Sequence, residues 1–169
     1  MSNKTDILGV DVGGVILDFI PYADTELDFR SDNYLQTPMI EGAVESLAEL
    51  NRERFAGNVY LVSRSGSYGP ARTIEWLEHH DFFRRTGIPK DFFFNCSQRE
   101  EKAGICSKLG ITHFVDDRAE VLSHLIGIVP NLYRFRSLDE NPEEFAHVLP
   151  HVTSVTTWRE VLEDLRTSR

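Results

Sequence analysis

Ile7-Leu8-Gly9-Val10-Asp11-Val12-Gly13-Gly14-Val15 is the stretch from which the rest of the chain is read. A short apolar run that stops at a carboxylate and two glycines predicts a buried strand over 6–12, followed by a tight turn. Asp11 then stands at the carboxyl end of that strand. Two later runs repeat the pattern. Val59-Tyr60-Leu61-Val62 closes on Ser63, and Ile111-Thr112-His113-Phe114-Val115 closes on Asp116-Asp117.

Between these runs the hydrophobic period changes. Ala43, Val44, Leu47, Ala48 and Leu50 recur at helical spacing within 41–54, and Gly57 follows as a stop. Residues 71–80, 100–109 and 119–126 read as further helices, the second closed by Gly110. Residues 58–62, 92–94, 111–115 and 131–135 read as strands. A linker containing Pro142 leads to an amphipathic helix over 157–165. The acidic stretch 13–39, with Pro21, Asp24, Asp28 and Pro38, reads as a loop or small insertion. Strands alternating with helices predict one α/β domain over 1–169, a three-layer α/β/α Rossmann-like architecture around a mainly parallel sheet. In such sheets ligands gather outside the carboxyl ends of the strands, where Asp11, Ser63 and Asp116-Asp117 fall.

The 169 residues suffice for a substantial core, with 41% hydrophobic and 27% charged content. A net charge of -9 argues against an extended nucleic-acid face, which needs clustered Lys and Arg. It leaves room for a small phosphorylated ligand, because one local cation can dominate a pocket. No apolar run approaches the ~20 residues that span a bilayer. The amino-terminal residues lead straight into a strand, without the parts of a signal peptide. Cys96 and Cys106 lack metal-ligand spacing and read as reduced thiols. A cytoplasmic monomer or homodimer is the expectation.

Each polar signature has a chemistry. Asp11 is suited to attack phosphorus or to ligate Mg²⁺. Ser63 offers a hydroxyl to a phosphate oxygen, and Arg64, Ser65, Gly66 and Ser67 continue as a polar, anion-holding loop. Lys102, in Arg99-Glu100-Glu101-Lys102, is placed to neutralise a phosphoryl group, with Lys108 as a competitor. Asp116-Asp117 is a carboxylate pair whose repulsion a cation relieves, and Glu120 lies one turn further on.

Taken in order, these four motifs resemble those of the haloacid dehalogenase-like (HAD) hydrolase superfamily. The resemblance runs from the first strand to the helix after Asp117. It implies Mg²⁺-dependent hydrolysis of a phosphate monoester. Asp11 resembles the nucleophile, Ser63 and Lys102 the phosphate-binding hydroxyl and lysine, and Asp116 and Asp117 the metal-binding acids. Asp117 is the favoured direct ligand, and the Gly13 carbonyl the implied backbone ligand. Gly13 departs from the pattern, because most family phosphatases carry there a second Asp that serves as general acid and base. Asp18, Ser65 or a substrate hydroxyl are the possible substitutes. Without one, the protein would be a catalytically impaired HAD-fold binder of a phosphorylated ligand or a protein partner. At most a small cap is expected, at 19–39, with Arg30 and Tyr34 as candidate substrate contacts. A response-regulator receiver uses similar residues, but its acidic pair comes first in the chain, not last.

Overall fold

The computed structural model describes residues 4–66, 68–136 and 143–168. The Pro142 linker and Ser67 lie outside the described residues. Six strands form one sheet: β1 (Leu8–Val10), β2 (Val59–Arg64), β3 (Phe93–Cys96), β4 (His113–Asp116), β5 (Asn131–Phe135) and β6 (Val152–Val155). Their order is β3-β2-β1-β4-β5-β6, and every neighbouring pair is parallel. The direction of winding reverses between β1 and β4, which opens a crevice at their carboxyl ends.

Helices α1 (Ala43–Glu49), α2 (Gly69–His79), α3 (Phe82–Thr86), α4 (Glu101–Leu109), α5 (Ala119–Leu125) and α6 (Trp158–Thr167) cover the sheet. Alternation along the strands separates two cores. Val115 and Tyr133 face one cluster with Leu47, Trp76, Trp158 and Leu165. Phe114 and Leu132, their immediate neighbours, face the other with Cys106, Val121, Leu122 and Leu125. Both faces are therefore buried, as continuous apolar runs such as Phe114-Val115 require.

The structure departs from the sequence reading in a few places. The helix over 41–54 changes to π-helical geometry at Leu50–Arg54. β2 extends two residues beyond the expected end, so Ser63 lies within the strand and not after it. The sheet has an unforeseen sixth strand. Val152-Thr153-Ser154-Val155 is an edge strand with Thr153 and Ser154 exposed, so it carries no apolar run. α3 is too short for a helical period to register.

Segment 19–39 leaves and returns at one point. Asp18 N–H donates to the Pro38 carbonyl, and Ile40 N–H to that of Ile16. Apart from two 3-10 turns it is irregular. Side chains of α2 hold it down. Trp76 Nε1 donates to the Thr37 carbonyl at 2.9 Å. Arg72 Nη1 donates to the carbonyls of Phe29 and Ser31 at 3.0 and 3.1 Å. The Arg72 guanidinium also sits over the rings of Tyr34 and Tyr68, 4.1 and 3.9 Å from their centroids.

Candidate active site

The turn after β1 is built on one carbonyl. Val12 O accepts from the N–H groups of Val15, Ile16 and Leu17, while Asp11 N–H donates to Val115 on β4. Asp11 is thus fixed where the sheet reverses. Gly14 has φ +81°, and a Cβ there would lie 2.3 Å from Asp117 Oδ2. Only glycine both adopts that backbone and lets the Asp117 carboxylate approach.

Lys102, in the first turn of α4, reaches into this corner and is 1% exposed. Its Nζ donates to Asp11 Oδ1 at 3.0 Å and to Asp116 Oδ2 at 2.9 Å. Asp116 Oδ1 accepts from Arg118 N–H at 3.0 Å, which fixes the carboxylate's orientation. Lys108, the competing lysine, is exposed. Asp11, Asp116 and Asp117 each offer an oxygen within 4.8 Å of the others, and all three are buried.

The electrostatics follow from this burial. Desolvation works against the Lys102 ammonium, but Asp11 and Asp116 outweigh it and raise its pKa. Burial, then the charge of Asp11, pushes Asp116 up to about 6 against the pull of Lys102. Burial, then Asp11 and Asp116, holds Asp117 well above the usual carboxylate range. Asp117 Oδ1 is buried with no hydrogen-bond partner among the described residues. One ammonium faces three carboxylates, so the ionised cluster carries surplus negative charge. An orphaned oxygen among hard oxygen donors fits a divalent cation such as Mg²⁺.

The cluster forms the floor of a cavity of about 440 Å³. Ser63, Arg64 and Ser65 from the end of β2 line one side, and Arg99 and Arg118 another. Phe19, Ile20, Phe29 and Tyr68 make an apolar outer wall. Asp11, Gly13, Ser63, Arg64, Lys102 and Asp116 therefore share one cavity, and Asp117 joins them from beneath. Glu120 pairs with Arg99 at 2.7 Å at the edge. Arg30 lines the cavity but is bound to Asp28. Tyr34 does not line it; its hydroxyl donates to Glu75 and its ring stacks on Arg72. Asp18 is not among the lining residues either, and it is paired with Arg136 at 3.0 Å. The sequence reading missed the aromatic wall and Arg72, whose roles come from contacts between remote segments. Among the described residues, no helix is long and apolar enough to cross a membrane.

No protein-family model matches the sequence, and no curated protein matches it. Solved structures do. A D,D-heptose 1,7-bisphosphate phosphatase from Burkholderia thailandensis is 14% identical, covers 96% of this chain and 99% of its own, and superposes with a TM-score of 0.54. The corresponding enzyme from B. bronchiseptica, complexed with magnesium and phosphate, is 14% identical over 95% of this chain and 98% of its own, with a TM-score of 0.57. A haloacid dehalogenase-like hydrolase from Burkholderia xenovorans LB400 is 11% identical over 98% of this chain and 100% of its own, with a TM-score of 0.61. The chain has the haloacid dehalogenase-like fold.

Proposed function

We propose that this protein is a Mg²⁺-dependent phosphatase that hydrolyses a small phosphate monoester, with Asp11 as nucleophile. The observation that carries this reading is the buried Lys102 ammonium between Asp11 and Asp116, at the floor of an open cavity. A lysine sealed between two carboxylates is poorly explained as a stabilising device, because desolvating such a pair is itself expensive. It is well explained as a fixed positive charge awaiting an anion. The phosphatases of the same fold, one complexed with magnesium and phosphate, agree with the reading.

Lys102 holds the Asp11 carboxylate in one orientation, facing the cavity. The Asp11 carboxylate attacks phosphorus, and the bond to the ester oxygen breaks in line with the attack. Lys102 and the Ser63 hydroxyl balance the charge on the phosphoryl oxygens, in a setting they need not reorganise. Water then attacks the phosphorus of the aspartyl phosphate, releasing inorganic phosphate and restoring Asp11. Asp11, Asp116, Asp117 and the Gly13 carbonyl would hold Mg²⁺, which when bound shields the phosphoryl group from the carboxylates. Segment 19–39 acts as a small cap, and Arg64 assists in holding the phosphate.

The test is hydrolysis of 4-nitrophenyl phosphate with and without Mg²⁺. Turnover that needs the metal and disappears in a folded Asp11→Asn variant is the expected result. Undiminished turnover in that variant removes Asp11 as nucleophile. A parent protein that binds Mg²⁺ and phosphate without turnover is instead the binding protein that Gly13 allows.

A further inference from the structure

We infer that the phosphoryl group accepted here is carried on an aromatic alcohol, which departs without a proton from the protein. This rests on the phosphatase reading and narrows its substrate. Two independent features of the cavity lead to it.

The first is that, among the described residues lining the cavity, no carboxyl or imidazole is free to give a proton. Among the described residues, the carboxylates lining the cavity are Asp11 and Asp116. Asp11 is the attacking group. Asp116 is 0% exposed, with one oxygen on Lys102 and the other on the Arg118 N–H. No histidine is among the described residues that line the cavity. The Tyr68 hydroxyl gives its proton to the Arg30 carbonyl at 3.0 Å. The Lys102 Nζ is turned to the floor, where it donates to Asp11 and Asp116 at 3.0 and 2.9 Å. The side chain that could have served is missing at Gly13, and its space is partly taken. A Cβ at Gly13 would lie 3.3 Å from Phe19 Cε1, so the Phe19 ring occupies the neighbourhood of a side chain there. Asp18, the nearest acid in sequence, is turned to Arg136.

The second is the wall facing the leaving group. Phe19, Ile20, Ala23, Phe29 and Tyr68 line the cavity away from the charged floor. Phe19 and Phe29 pack against the buried core, so their rings are held in place. An alkoxide expelled against such a wall would be an unpaired charge in apolar surroundings, which is strongly disfavoured. A phenol ionises at about 10, far below water and the aliphatic alcohols that resemble it. A phenolate also spreads its charge over a flat ring, and aromatic walls favour flat rings.

The steps balance without a protein acid. Asp11 forms the new bond to phosphorus, and the aryl oxygen leaves with the electron pair of the broken bond. The phenolate takes its proton from solvent. Water then displaces Asp11 from phosphorus, its proton passing to phosphate or solvent.

The test is kcat/KM for 4-nitrophenyl, phenyl and 1-naphthyl phosphates, acetyl phosphate and glycerol 2-phosphate, all with Mg²⁺. Glycerol 2-phosphate should fall about 10²- to 10⁴-fold below 4-nitrophenyl phosphate, the usual worth of a missing general acid. The second ring of 1-naphthyl phosphate should lower KM about tenfold relative to phenyl phosphate. Gly13→Asp combined with Phe19→Leu supplies a carboxylate and the room for it. This pair should raise the ratio of glycerol to 4-nitrophenyl phosphate turnover at least about tenfold. Glycerol 2-phosphate turned over as fast as the aryl esters overturns the inference but leaves the phosphatase intact. Preference for acetyl phosphate over every aryl ester assigns the site to acyl phosphates and overturns the aromatic assignment. No turnover of any donor overturns the phosphatase reading, and this inference with it.

Discussion

Replacing Lys102 by Met removes the ammonium while keeping most of the side-chain volume, so no large cavity confuses the result. In the parent, Nζ lies 3.0 Å from Asp11 Oδ1 and 2.9 Å from Asp116 Oδ2, with the lysine side chain 2% exposed. Removing one partner of a buried ion pair costs ~3–5 kcal/mol, because the remaining charge has neither water nor a counter-ion. Two carboxylates are stranded here, so the upper part of that range applies near neutral pH. The loss should shrink in acid. Asp116 titrates at about 6 in the folded protein against an ordinary 3.8. A carboxyl with a raised folded pKa contributes stability below its unfolded pKa, which is lost as pH rises through the folded value. Without Lys102 the folded value rises further, so the loss from this group is smallest below about pH 6, where both folded forms hold Asp116 protonated, and grows as pH rises above it. Mg²⁺ should restore part of the loss near neutral pH, by substituting one cation for another. Urea unfolding at acid and neutral pH, with EDTA or Mg²⁺, reads all of this directly. A loss under about 1 kcal/mol at neutral pH, or one independent of pH, refutes the electrostatic account of the corner.

Two further outcomes follow from the same geometry. Asp117→Asn removes the charge beside the orphaned oxygen, so in EDTA its thermal midpoint should equal or exceed that of the parent. Mg²⁺ should then raise the midpoint of the parent but not of the variant, and equal rises in calorimetry remove Asp117 from the metal site. Arg72→Gln frees the 19–39 segment from two carbonyl contacts and from the stack on Tyr34, and also removes the stack on Tyr68. KM for 1-naphthyl phosphate should rise about tenfold with kcat changed less than about threefold, whereas a fall in kcat alone means the segment does not shape the binding wall.

The fold was legible because its strands are short apolar runs bounded by polar residues and glycines. Asp11 and Asp116-Asp117 were legible for the same reason, since each follows such a run directly. Lys102 was visible only through its order among the motifs. In Arg99-Glu100-Glu101-Lys102 it reads locally as a solvated helix face, and its burial arises from strands 14 and 91 residues away. β6 stayed hidden because an edge strand with exposed Thr153 and Ser154 has no pattern of its own. Phe19 over Gly13, and Arg72 between two tyrosines, were equally hidden. Composition marks neither, since both depend on how an irregular segment folds back onto helix α2.

Trp158 Nε1, at the start of α6, donates to the Val15 carbonyl at 2.7 Å across 143 residues of sequence. The bond ties the turn that follows Asp11 to helix α6. Val15 precedes Trp158 in the order of synthesis, so its carbonyl has to wait for Trp158 to emerge. Until then the indole is not there to seal the turn, and the lysine corner lacks its finished frame. A nascent chain therefore carries Asp11 well before the turn beside it can be completed.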